Sequence, residues 1–146
     1  MIKYVAFSIL ACATVILVRP MNAFSGDLAR ERQRAAAETI LAEEISYTNE
    51  VCGADIDSTI DWESFEEAGF DNGENVADAC DAGLSAIEDI CRSSKTGRDG
   101  VASEISSFSC AAGLNADADL SAGVFSYTAG NDGFDAARAY LAALFV

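Results

Sequence analysis

The stretch ENVADACDAGLSAIEDICRSS, residues 74–94, decides the fold. Its apolar positions Val76, Cys80, Leu84, Ile87 and Cys91 step by four, four, three and four, the spacing of an amphipathic helix with one buried stripe. Cys80 and Cys91 share that stripe, but at 1.5 Å of rise per residue they stand about 16 Å apart along the axis. A disulfide needs Cα atoms within about 7 Å. The two cysteines therefore cannot bridge each other, and each must reach a different segment.

Beyond position 25 the other cysteines are Cys52 and Cys110, so two pairings remain. Cys52–Cys80 with Cys91–Cys110 closes the shorter loops and is the expected one. Cys52–Cys91 with Cys80–Cys110 is the alternative. An even set of cysteines in a small chain indicates an oxidising compartment and two disulfides. Zinc is disfavoured, because the sequence has no histidine and no C-x-x-C pair.

The N-terminus agrees with export. Lys3, the apolar run from Tyr4 to Val18, and the small residues Ala23 and Ser25 ahead of Gly26 have the layout of a secretory signal over residues 1–25. The run is shorter than the roughly 20 residues of a spanning helix. The alternative is an uncleaved membrane anchor through residues 4–18, which the arginines just downstream would suit. ILAC, ending at Cys12, has a lipoprotein flavour but is followed by further apolar residues. Residues 26–146 then form one domain, a usual size for one.

All 24 acidic residues lie in that domain, and the whole chain carries a net charge of −15. Such a surface repels nucleic acid and anionic lipid, and it suits solubility or a basic partner. The segment 27–53 reads as a long helix with Ala37, Leu41, Ile45, Thr48 and Cys52 on one stripe and Gly53 as its stop. Arg30, Arg32 and Arg34 near its start could meet a phosphate or a membrane; a solvated, salt-bridged face is the plainer reading. A short helix is expected over residues 59–68, with Ser58 and Asp61 as a capping box. A weak helix follows over Arg98–Glu104. ISSFSCA and GVFSYTA alternate as strands around the polar loop GLNADADLSAG, which predicts a two-stranded hairpin. A terminal helix carries Phe134, Ala137, Leu141 and Leu144. The expected fold is mainly α (α+β): three to four helices and one short C-terminal β-hairpin, stapled by two disulfides.

VCGADIDSTIDWESFEE, residues 51–67, is the richest stretch for chemistry. Asp55, Asp57, Thr59, Asp61, Glu63 and Glu66 fall at alternate places of an EF-hand-length loop, the oxygen spacing that calcium takes. Ile60 replaces the glycine of the sharp turn, however, so calcium through Asp55, Asp57, Asp61 and Glu66 stands as an alternative reading only. Asn115, Asp117 and Asp119 offer a weaker set of the same kind. Triad chemistry lacks its histidine base, bridged cysteines are no nucleophiles, and Lys95 lies in a Gly/Ser-rich surface stretch. A carboxylate-only hydrolase would draw on Asp61, Glu63, Glu66 and Glu67, but acids on a short exposed helix stay ionised. Trp62, the single tryptophan, is the candidate partner-binding residue, with core packing as its simpler role. The expected function is a non-catalytic interaction module, secreted or periplasmic, for another exported or envelope macromolecule, without resident cofactor.

Overall fold

The computed structural model describes residues 22–70 and 73–146. The predicted signal segment lies outside them except for residues 22–25, as do the anchor reading of residues 4–18 and Cys12. The elements run α1 (Asn22–Cys52), β1 (Asp57–Ile60), α2 (Trp62–Glu67), α3 (Gly73–Ser93), α4 (Lys95–Glu104), β2 (Ser107–Ala112), β3 (Asp117–Ser121), β4 (Val124–Ala129) and α5 (Gly133–Phe145). Among the described residues the fold is mixed α+β: five helices and a four-stranded sheet in place of three to four helices and a hairpin.

The helix α3 forms where its apolar stripe predicts, and it is the axis of the molecule. Val76, Cys80, Leu84, Ile87, Ile90 and Cys91 are all buried. On one side α1 packs against it, on another α5, and beneath it lies the sheet. The approach to the sheet is close at Gly83, where a Cβ would fall within 3 Å of the rings of Tyr127 and Phe108. Burying such side chains stabilises by roughly 1.5–3 kcal/mol each.

Both disulfides leave α3 for different layers, as the helix geometry requires, but the pairing is the alternative one. Cys52 bridges Cys91 with Cα atoms 5.2 Å apart, and Cys80 bridges Cys110 at 5.8 Å. The reason is the direction of α1. Gly73 lies against the Gln33 carbonyl, Thr48 bonds Glu88, and Cys52 meets Cys91. Each contact joins residues about 40 apart, so α1 and α3 run parallel and in register. The end of one helix meets the end of the other, and Cys52 lies far from Cys80. Choosing the shorter loops presumed that neighbouring helices turn back on each other.

The sheet order is β1-β2-β4-β3. β1 and β2 pair in parallel, as do β2 and β4, while β3 and β4 are antiparallel. The two stretches expected to form a hairpin are therefore parallel neighbours, with Phe108 opposite Phe125 and Cys110 opposite Tyr127. Parallel neighbours need a return connection, and the supposed loop 113–123 supplies it as β3. Its Asp117, Asp119 and Ser121 face water while Ala118 and Leu120 are half-buried, an alternation hidden by residues that rarely form strands. The tight turn into β4 places Ala122 at φ 51° and Gly123 at φ 81°, the positive values a two-residue hairpin turn takes.

Two further boundaries differ from expectation. Residues 57–60 form a strand, so the helix predicted over 59–68 shortens to α2. The helix expected over 98–104 begins earlier, at Lys95, because the Ser94 side chain caps it by accepting from the Gly97 N–H at 2.9 Å.

Candidate functional site

The N-terminus of α2 is fixed by Asp61, whose carboxylate accepts from the Ser64 N–H at 3.2 Å. The Ser64 hydroxyl donates to the Asp61 carbonyl at 2.7 Å and accepts from the Ala112 N–H at 2.9 Å, which ties the helix to the end of β2. One face of α2 sends Phe65 into the core, edge-on to Phe70 with ring centres 5.2 Å apart. The other presents Trp62, half-buried and facing α1.

The Trp62 indole N–H donates to Glu38 at 3.3 Å. The Arg34 guanidinium lies 5.4 Å from the centre of the same ring and forms an ion pair with Glu66. A cation over an indole face is attracted by its quadrupole. These side chains edge a groove of about 540 Å³ between α1, α2 and the start of α3. Phe65 and Val76 form its floor, Trp62 and Phe70 its walls, and Arg30 and Arg34 its rim. The body of Trp62 packs on the core and its edge lines a hollow open to solvent.

The acidic residues singled out in the sequence do not converge. Asp55 is exposed in the turn after α1, Asp57 points outward from a paired strand, Asp61 caps α2 and Glu66 holds Arg34. Strand pairing of residues 57–60 with 107–110 keeps this stretch extended, so it does not wrap around a centre. Among the described residues no group of three or more Asp, Glu, Cys or His is placed to hold a metal ion. Asp117 and Asp119 lie on the outer side of β3, where Asp119 accepts from the Tyr140 hydroxyl at 3.4 Å. Glu63, Glu66 and Glu67 are exposed.

Sequence reasoning missed a polar seam between α1 and α3. Glu88 is 6% exposed; Thr48 donates to one of its oxygens at 2.9 Å and Arg92 to the other at 2.8 Å. Arg92 also donates to the Tyr47 hydroxyl at 3.0 Å. Burial, then the charges of Asp81, Glu88 and Glu43, raises the Glu44 carboxyl above the usual carboxylate range. Burial and the neighbouring Glu88 and Asp78 do the same to Asp81, against a lowering hydrogen bond from Ser85. A signal existed: Glu88 stands four residues after Leu84 and four before Arg92, on the edge of the buried stripe. Asn49 was missed as well. Its amide donates to the Ile56 carbonyl at 3.1 Å and accepts from the Ile56 N–H at 2.9 Å, clamping the turn into β1.

Set against protein-family models, curated proteins and solved structures, the chain matches none of them. The two disulfides point to an oxidising environment. Among the described residues no helix is long and apolar enough to cross a membrane.

Proposed function

We propose that this protein is a non-catalytic interaction module, secreted or periplasmic, and that it contacts another exported macromolecule through the Trp62 groove. The observation that carries the reading is the half-exposed tryptophan stacked under Arg34 beside Phe70, on the wall of a hollow with an apolar floor. Aromatic and arginine side chains of this kind supply a large share of binding energy in protein interfaces. The rest of the surface is strongly acidic, which keeps non-specific anionic partners away. The bridged cysteines and the absence of histidine fit binding better than turnover.

The test is affinity capture from the protein's own envelope or culture fluid, run in parallel with Trp62→Ala, Phe70→Ala and, on the far side, Lys95→Ala. A partner retained by the parent and by Lys95→Ala, with affinity lowered about tenfold or more by the groove variants, supports the reading. A partner that binds all four chains equally places the contact elsewhere and ends it.

A further inference from the structure

The sheet has two edge strands, β1 and β3, and they are finished differently. At β3 the outward Leu120 N–H donates to the Tyr140 hydroxyl of α5 at 2.8 Å, which closes that edge from within the fold. At β1 the Asp57 and Asp61 N–H groups turn inward, donating to the Ser106 and Cys110 carbonyls at 3.1 and 2.9 Å. Backbone groups alternate along a strand, so those of Ile56, Ser58 and Ile60 point to the outer edge.

Asn49 occupies the first of these three positions. Its amide pairs with the Ile56 N–H and carbonyl together, as a residue of a neighbouring strand would. The pairing stops there: among the described residues the backbone groups of Ser58 and Ile60 have no hydrogen-bond partner. Beside them a cleft of about 490 Å³ opens between β1 and α1, lined by Glu38, Leu41, Ser58, Thr59, Ile60 and Trp62. Unpaired edge groups next to open space are a template for a further strand.

Side-chain direction and charge define what fits. Ser58 and Ile60 are half-buried while Asp57 and Thr59 are exposed. Alternate residues of an added strand would therefore lie toward Leu41 and Trp62, and the others beside Asp57. Neither Asp57 nor Glu38 forms an ion pair among the described residues, and no lysine or arginine lines the cleft. Opposite charges across a strand pair stabilise it and like charges oppose it. A second copy of β1 would set one acidic edge against another.

We infer that the β1 edge takes up an extended segment of a partner protein in which lysine or arginine alternates with aliphatic residues, its backbone pairing with Ser58 and Ile60. This surface shares only Trp62 with the groove described above and does not depend on it.

The probe is a capped Lys-Val-Lys-Val-Lys peptide, followed by the fluorescence of Trp62, the single tryptophan, on the oxidised protein. Saturable binding is expected, about tenfold or more tighter than for Glu-Val-Glu-Val-Glu or for Lys-Pro-Lys-Pro-Lys, which has the charge but cannot form a strand. Ser58→Pro removes one outward N–H without touching the β2 ladder, and should weaken binding about fivefold or more. Ser58→Ala keeps that N–H and should bind as the parent does, as should Phe70→Ala in the groove. Asp57→Asn should weaken binding about twofold to threefold. The peptide should also slow solvent exchange of the Ser58 and Ile60 amides in the parent, a readout that needs no variant. Absence of saturable binding, equal affinity for the proline peptide or the acidic one, or unprotected Ser58 and Ile60 amides overturns the inference. So does unchanged affinity in Ser58→Pro that keeps the parent's circular dichroism, or a loss in Phe70→Ala as large as in Ser58→Pro. A dimer of the free chain that Ser58→Pro dissociates would make a second copy the occupant and overturn it as well.

Discussion

The two halves of α1 belong to one continuous helix, yet they are held in place differently. From Leu41 to Cys52 the helix buries Leu41, Ile45, Thr48 and Cys52 against α3 and ends in a disulfide. From Gly26 to Ala36 almost every residue is exposed, including Leu28. That half is rich in alanine and arginine, residues of high intrinsic helix propensity. The first type of order comes from packing, the second from local preference plus the Arg34 contacts to α2. Helical form and contribution to stability are therefore separate quantities, since the first half is helical while burying little.

Substitutions test that contrast most strongly in the packed half. Leu41→Ala should cost about 2–5 kcal/mol, the usual range for a large-to-small change in a core, measured by urea unfolding of the oxidised protein. Next comes the pair Cys52→Ser and Cys91→Ser together, expected to lower stability by roughly 2–4 kcal/mol. A loss near zero would mean that the α1–α3 seam holds its register without the bridge.

Glu88→Ala leaves the Thr48 hydroxyl without its partner, and should cost about 1–3 kcal/mol. Asp81→Asn should act with the opposite sign. Asp81 and Glu44 bind protons more readily in the folded chain than at their ordinary values of 3.8 and 4.5. Their contribution to stability is therefore present below those values and is lost as pH rises through the raised ones. Melting followed by circular dichroism should show Asp81→Asn slightly more stable than the parent at pH 7 and no different near pH 3. At the exposed end, Leu28→Ala should change stability by less than about 0.5 kcal/mol. A loss comparable to that of Leu41→Ala would erase the distinction between the two halves.

Legibility followed the same division between local and distant causes. The stripe of α3 was readable because 3.6-residue spacing needs only neighbours, and Gly53, at φ 66°, ends α1 as its backbone freedom suggested. β1 was misread because Ser58 and Asp61 form a plausible cap in isolation; pairing with β2 extends those residues. The acids of residues 55–66 looked like a ligand series at alternate places, and alternation is also what a strand edge produces. Trp62 was identifiable as a candidate, but the groove beside it was not, since its walls come from three elements. A second hollow, lined by Phe70, Ala82, Ala112, Tyr127 and Gly133, left no trace in the sequence, because these residues are far apart in the chain.

By itself the sequence determined that two sulfurs on one helix must reach different segments, and that this chain has no histidine chemistry. Both follow from helical rise and composition, which do not depend on distant contacts. The parallel course of α1 beside α3, and with it the disulfide pairing, was decided only by tertiary structure. So were the insertion of β4 between β2 and β3 and the meeting of both hollows at Phe70. Helix direction and strand order depend on which buried faces fit together, and that is a property of the assembled core.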